Sequence, residues 1–234
     1  MKSGFGSKLF KLFDYVFRIV LINLLIFIPS FLLIYLMSLC FKGIMGTSWE
    51  FIIIIPTLFY VYPSICAGVD LVCKYELKIC NSVFREFFKS LKKVYLKGLI
   101  ETFFLIIVFI LFYNSIMFFY LNVENGYIYS FGLILSIAFA LMFMVVIIHL
   151  PLVMSYMAGC RVIHDIKLAS MMAFGDLIIS VAIVIAIIFI VMGSIYFITI
   201  AIICGFSLPI VLLVKLTFKK YYLVYVRTHK KENE

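Results

Sequence analysis

Few residues of this chain combine a type and a spacing that could do chemistry. Cys160 and His164 are four apart, which on a helix places a thiol and an imidazole on one face. Such a pair can start a tetrahedral metal site, but the further ligands a closed site needs are not nearby in sequence. His164 is followed by Asp165, and an imidazole beside a carboxylate can titrate near neutral pH. The plainer role for that pair is two solvated groups at an interface. Asn23 and His149 lie at appreciable depth in apolar runs, where a polar group left unsatisfied is costly and marks a candidate intramembrane site. Their plainer role is interhelical hydrogen bonding near a span end. No His-Glu-x-x-His, no Gly-x-Ser-x-Gly, no phosphate-binding glycine loop and no pair of acids within a span is found. The expectation is a protein that is not an enzyme, with no catalytic residues, no metal and no other cofactor.

A second set of residues suits surfaces rather than reactions. Between Asn81 and Gly98, Phe84, Phe87, Phe88, Leu91, Val94 and Tyr95 recur at helical spacing, and Arg85, Lys89, Lys92, Lys93 and Lys97 fall mostly between them. A short helix with aromatic and cationic sides is suited to lie in a membrane interface. Its bases are the expected contacts for anionic headgroups or for an acidic partner.

The elements that must position these residues are hydrophobic. Of the 234 residues, 66% are hydrophobic and 13% charged, against roughly 45–50% apolar for soluble domains. The chain therefore reads as one polytopic membrane domain over residues 1–234, all-α, with an amphipathic insert at 81–98, a second polar insert at 161–176 and a basic tail at 215–234. The runs at 19–41, 51–69, 101–121 and 128–148, uncharged except for Glu101 at the mouth of the third, are each long enough to span. The run 177–214 is too long for one crossing of a ~30 Å core. It must fold back, most plausibly within 193–205, which makes six transmembrane helices. The first run lacks a small-residue cleavage site and is expected to remain as a span.

The net charge of +9 is unevenly distributed. The N-terminal region, the insert ending at Gly98 and the C-terminal region are the clearly positive segments, while the links near residues 42–50 and 122–127 are neutral or acidic. The bias toward basic cytoplasmic segments places both termini and the amphipathic helix in the cytoplasm of a cell (plasma) membrane protein. It also directs the charge to headgroups rather than nucleic acid. Six cysteines are scattered in or beside apolar runs, with no disulfide framework. Ala169 with Ala173, and Ala182 with Ala186, have the spacing of close helix packing.

The N-terminal GSKLFKLFDYVFRIVLINLLIFIPS, with Gly6, Lys8-Leu9, Arg18, Asn23-Leu24-Leu25 and Pro29, resembles the opening of the YesL-like bacterial membrane proteins, a family of unknown function. Phe84 to Gly98, His149-Leu150-Pro151-Leu152-Val153, Lys167 to Ala173 and Gly205-Phe206-Ser207-Leu208 resemble its later landmarks. Ile26, Val94 and Leu168 depart from the pattern, standing where a Trp and two Asn are expected. The resemblance implies an integral membrane protein accessory to carbohydrate uptake by ATP-driven transporters, with a transporter permease as a possible partner. Two functions follow as expectations. One is an accessory or regulatory membrane subunit that docks through its basic insert. The other is a small-solute binding or carrier component with a cavity near Pro56, Pro63, Asn23 and His149.

Overall fold

The computed structural model describes residues 5–41, 49–77, 79–80, 82–156, 162–196 and 205–217. Among them are seven α-helices and no strand: α1 (Phe5–Phe41), α2 (Trp49–Glu76), α3 (Val83–Leu121), α4 (Tyr127–Tyr156), α5 (Val162–Gly175), α6 (Leu177–Tyr196) and α7 (Ser207–Thr217). Cys160, the link at 42–48, most of the expected fold-back and the end of the basic tail fall outside the described residues.

Among the described residues, three helices are long and apolar enough to cross a membrane, over Phe13–Phe31, Val83–Leu121 and Tyr127–Ser155. The pair α5 and α6, bent by 97° at Asp176, makes up to a fourth. The all-α architecture is thus compatible with membrane insertion.

One expectation is corrected. The stretch 81–98 does not form a separate interfacial helix, because α3 runs unbroken through 39 residues from Val83 to Leu121. No proline occurs in that stretch, and Gly98 is tolerated inside the helix. At ~1.5 Å per residue such a helix is about 58 Å long, well beyond a ~30 Å hydrocarbon core. Its basic first half therefore extends the span rather than turning away from it.

The buried core lies toward the basic half of α3. It joins Ile22 and Ile26 of α1, Cys66, Ala67, Val69 and Leu71 of α2, Phe87 and Val94 of α3, Leu150 and Leu152 of α4, Ala169 and Ala173 of α5, Ile183 of α6 and Val214 of α7. α2 packs most extensively against α3 and α1 and also against α4, while α5 and α6 pack on α4. The distal limbs of α3 and α4 instead form a hairpin with exposed apolar side chains, among them Phe103, Leu111, Phe118, Phe131 and Ile134. The limbs are held by a Ser115–Ser136 hydroxyl contact of 3.0 Å and by Phe112 against Phe143. The expected turn at Asn125-Gly126 closes the hairpin, with Gly126 at φ 142°, a conformation that favours glycine.

Proline inside a helix removes a backbone donor and orphans the carbonyl four residues earlier. For Pro29 of α1 that carbonyl belongs to Leu25, and the Tyr60 hydroxyl of α2 donates to it at 3.3 Å. Close approach of α2 and α3 depends on Gly98, where an added Cβ would lie 3.2 Å from the Pro63 ring and 3.3 Å from its Cα. Neither the ring nor the backbone of Pro63 can swing aside. Gly98→Leu is therefore expected to lower stability by about 1–3 kcal/mol, read as an earlier thermal unfolding transition in detergent. Gly175→Ala, with no atom within 4 Å of its Cβ position, should leave the transition in place, and equal losses in both variants would refute the account.

Candidate functional site

The inward face of α3 repeats at helical spacing through Val83, Phe87, Ser90, Val94, Gly98 and Glu101. Two polar networks form along it. In the first, the Lys74 ammonium of α2 lies 2.8 Å from Asp70 Oδ2, 3.5 Å from Glu86 and 2.9 Å from Ser90 Oγ. Ser90 donates to Asp70 Oδ2 at 2.5 Å, and Ser155 of α4 donates to Asp70 Oδ1 at 3.4 Å. Burial disfavours the Lys74 ammonium, yet the Asp70 and Glu86 carboxylates outweigh burial and raise its pKa. This network ties α2, α3 and α4 together.

The second network was not visible as a unit in the sequence. Lys97 turns inward and pairs with Asp165 of α5, whose side chain is fully buried. One turn further along α3, Glu101 is 1% exposed and accepts a hydrogen bond of 2.8 Å from the Tyr62 hydroxyl of α2. Asp165 and Lys97 are the charged neighbours of Glu101. Cys66, one turn beyond Tyr62 on α2, contacts the Met154 sulfur of α4 at 3.5 Å. Four helices therefore meet around two carboxyls, one ammonium, one phenol and one thiol.

This arrangement brings two acids together, Glu101 from the start of the expected third span and Asp165 from the second polar insert, a meeting that the absence of an acid pair within any one span did not announce. It also corrects two expectations. Asp165 is buried rather than a solvated partner of His164, which is exposed. Lys97 belongs to an internal ion pair, so it does not share the surface role expected of Arg85, Lys89, Lys92 and Lys93, all four of which are exposed.

Asn23 and His149 are fully buried but are not brought together. The Asn23 side-chain oxygen accepts from the backbone N–H of Phe206 at 2.7 Å and of Ser207 at 3.2 Å, serving donors that the start of α7 leaves without helical partners. His149 Nδ1 is 3.0 Å from the Val145 carbonyl. A carbonyl only accepts, so Nδ1 carries a proton and, in a neutral ring, Nε2 is left as an acceptor 3.3 Å from the Ser180 hydroxyl, which also faces the Ala173 and Asp176 carbonyls. Both residues thus take the plainer role of joining helices. Ala169 and Ala173 are buried as close packing requires, whereas Ala182 is exposed. Ile26 and Val94, two departures from the YesL-like pattern, are core residues.

A cavity of about 290 Å³ lies between α2, α4, α6 and α7. Its walls are almost wholly apolar, and Tyr62 is among them. Asn23, His149 and Pro63 are not among its lining residues, but Tyr62, Ile148 and Phe206, which adjoin Pro63, His149 and the Asn23 side chain, are; the side chain of Pro56 lies outside the described residues. No cluster of three or more His, Cys, Asp or Glu able to hold a metal is found among the described residues.

Asn23→Ala removes the acceptor for Phe206 and Ser207, and the loss of stability should be about 0.5–2 kcal/mol, seen as earlier thermal unfolding and faster amide exchange in α7. Unchanged exchange at Phe206 and Ser207 would show that Asn23 does not hold that helix. In comparisons with known proteins, no family model, no curated protein and no solved structure matches the chain.

Proposed function

We propose that this chain is a multi-pass accessory subunit of the plasma membrane, with six spans and both termini cytoplasmic, that docks on another membrane protein through the extension of α3. The observation that carries this reading is a pair of adjacent exposed stripes on that extension. Phe84, Phe88 and Tyr95 form an apolar stripe, with Phe84 and Phe88 in ring contact at 4.9 Å. Arg85, Lys89 and Lys92 form a basic stripe beside it. Apolar burial of roughly 1.5–3 kcal/mol for each fully desolvated Phe supplies anchoring, and each base near an anionic leaflet adds on the order of 1 kcal/mol. The basic stripe suits headgroups and the acidic cytoplasmic surface of a partner such as a transporter permease. The YesL-like resemblance supports an accessory role in carbohydrate uptake, and no catalytic chemistry is part of this reading.

The apolar cavity beside Tyr62 favours a second reading, a binding or carrier component for a small apolar solute. The two readings separate in one experiment. Charge reversal of Arg85, Lys89 and Lys92 to Glu should leave expression and thermal unfolding unchanged while reducing co-purification of the native membrane partner at least about tenfold, a loss of ~1.4 kcal/mol. Unaltered co-purification would move the weight to the carrier reading. For the topology, single cysteines at Glu124 and Glu234, introduced where native thiols are blocked, should be labelled from opposite sides of the membrane. Labelling of both from one side would refute six spans with cytoplasmic termini.

A further inference from the structure

Charge at the junction of α2, α3 and α5 does not balance if both acids are ionised. Glu101 and Asp165 would carry two negative charges against the single positive charge of Lys97. Both carboxyl side chains are buried, at 1% and 0% exposure. A net charge left in such a place costs several kcal/mol, even after relaxation of the surroundings. When two carboxyls share one buried site, the ordinary result is that one of them keeps its proton.

Hydrogen bonding leads to the same point independently. The Tyr62 hydroxyl serves Glu101 Oε2, but Glu101 Oε1 and Asp165 Oδ1 have no hydrogen-bond partner among the described residues. A carboxylate oxygen only accepts, whereas a protonated carboxyl also donates. One proton on the pair would turn one unpartnered acceptor into a donor for the other. The titratable groups facing the pair are Tyr62 and Cys66 from α2 and Lys97 from α3. From α4 the cluster meets the Met154 thioether through Cys66, and His149 of that helix is engaged with Val145 and Ser180.

We propose that Glu101 and Asp165 form a binding site for a single proton, shared between the two carboxyls and balanced by Lys97. The proton comes from water and returns to it, with no bond other than O–H formed or broken. Its release leaves one uncompensated negative charge between α3 and α5, so the docked and protonated junction is one state, and a hydrated or cation-occupied junction is the other. This site stands apart from the docking stripes and does not depend on the accessory reading.

Infrared spectroscopy of the full chain in lipid nanodiscs, titrated from about pH 5 to about pH 9, tests the proposal through the carboxylic-acid C=O stretch. The wild-type protein should show one protonated carboxyl per chain at neutral pH. Glu101→Gln and Asp165→Asn should each abolish that band, because either leaves one carboxylate balanced by Lys97. Lys97→Met should instead double it. Absence of the band in the wild type, or its survival in both amide variants, would overturn the proposal. Loss of the band on adding sodium chloride but not choline chloride would overturn it in favour of a sodium ion. The wild-type titration needs no substitution, so the proposal is decided even if a variant does not fold.

Discussion

The burial of Asp165 against Lys97 is a constraint on which the junction of α2, α3 and α5 depends. A carboxylate with no exposed surface must be met by a cation or a proton, and α5 supplies neither at that position. The cation comes from α3, so Asp165 ties α5 to α3 at Lys97, in addition to the packing of α5 on α4. The buried Ala169 and Ala173, on the same stripe of α5 as Asp165, leave room for that approach. On the other side, Gly98 lets α2 close on α3 beside Pro63, which sets Tyr62 against Glu101. Small residues and one ion pair thus place three helices together.

The two polar networks on α3 differ in completeness. Around Asp70, both carboxylate oxygens are met, by Lys74, Ser90 and Ser155. Around Glu101 and Asp165, Oε1 of the first and Oδ1 of the second have no donor among the described residues. A satisfied network fixes helices in one arrangement, whereas a partly satisfied one stores free energy that a bound species can release. The basic half of α3 therefore carries a structural lock near its start and a site with unused hydrogen-bonding capacity further along.

Much of the helical layout was legible in the sequence because hydrophobic run length and turn chemistry are local properties. The Asn125-Gly126 turn, the apolar limbs on either side of it and the helix that starts at Leu177 follow from such signals. The continuity of α3 did not, since a change from amphipathic to uniformly apolar sequence looks like a boundary although nothing in the backbone breaks there. The Lys97, Glu101 and Asp165 cluster was missed for a related reason. Lys97 and Glu101 are one turn apart, and Asp165 shares a helical face with Ala169 and Ala173, so the stripe was readable. Net charge per segment, however, sorts residues by stretch and hides which face each one occupies. Neither could the sequence show that Asn23 would meet a backbone 183 residues away.

That last contact has a consequence for the order in which the protein is made. Asn23 sits in the first helix, and the N–H groups it serves belong to the last described one. At synthesis rates of roughly 5–20 residues per second, a separation of 183 residues corresponds to about ten to forty seconds. During that interval α1 carries a carboxamide oxygen whose donors at Phe206 and Ser207 have not yet been translated. The helix must keep it near the interface, or share it with water or a neighbouring chain, and α7 can take its native start only against an α1 already in place. Assembly of this part of the bundle is thus completed late, and a chain truncated before Phe206 leaves the Asn23 side-chain oxygen without the two backbone donors it serves in the finished fold.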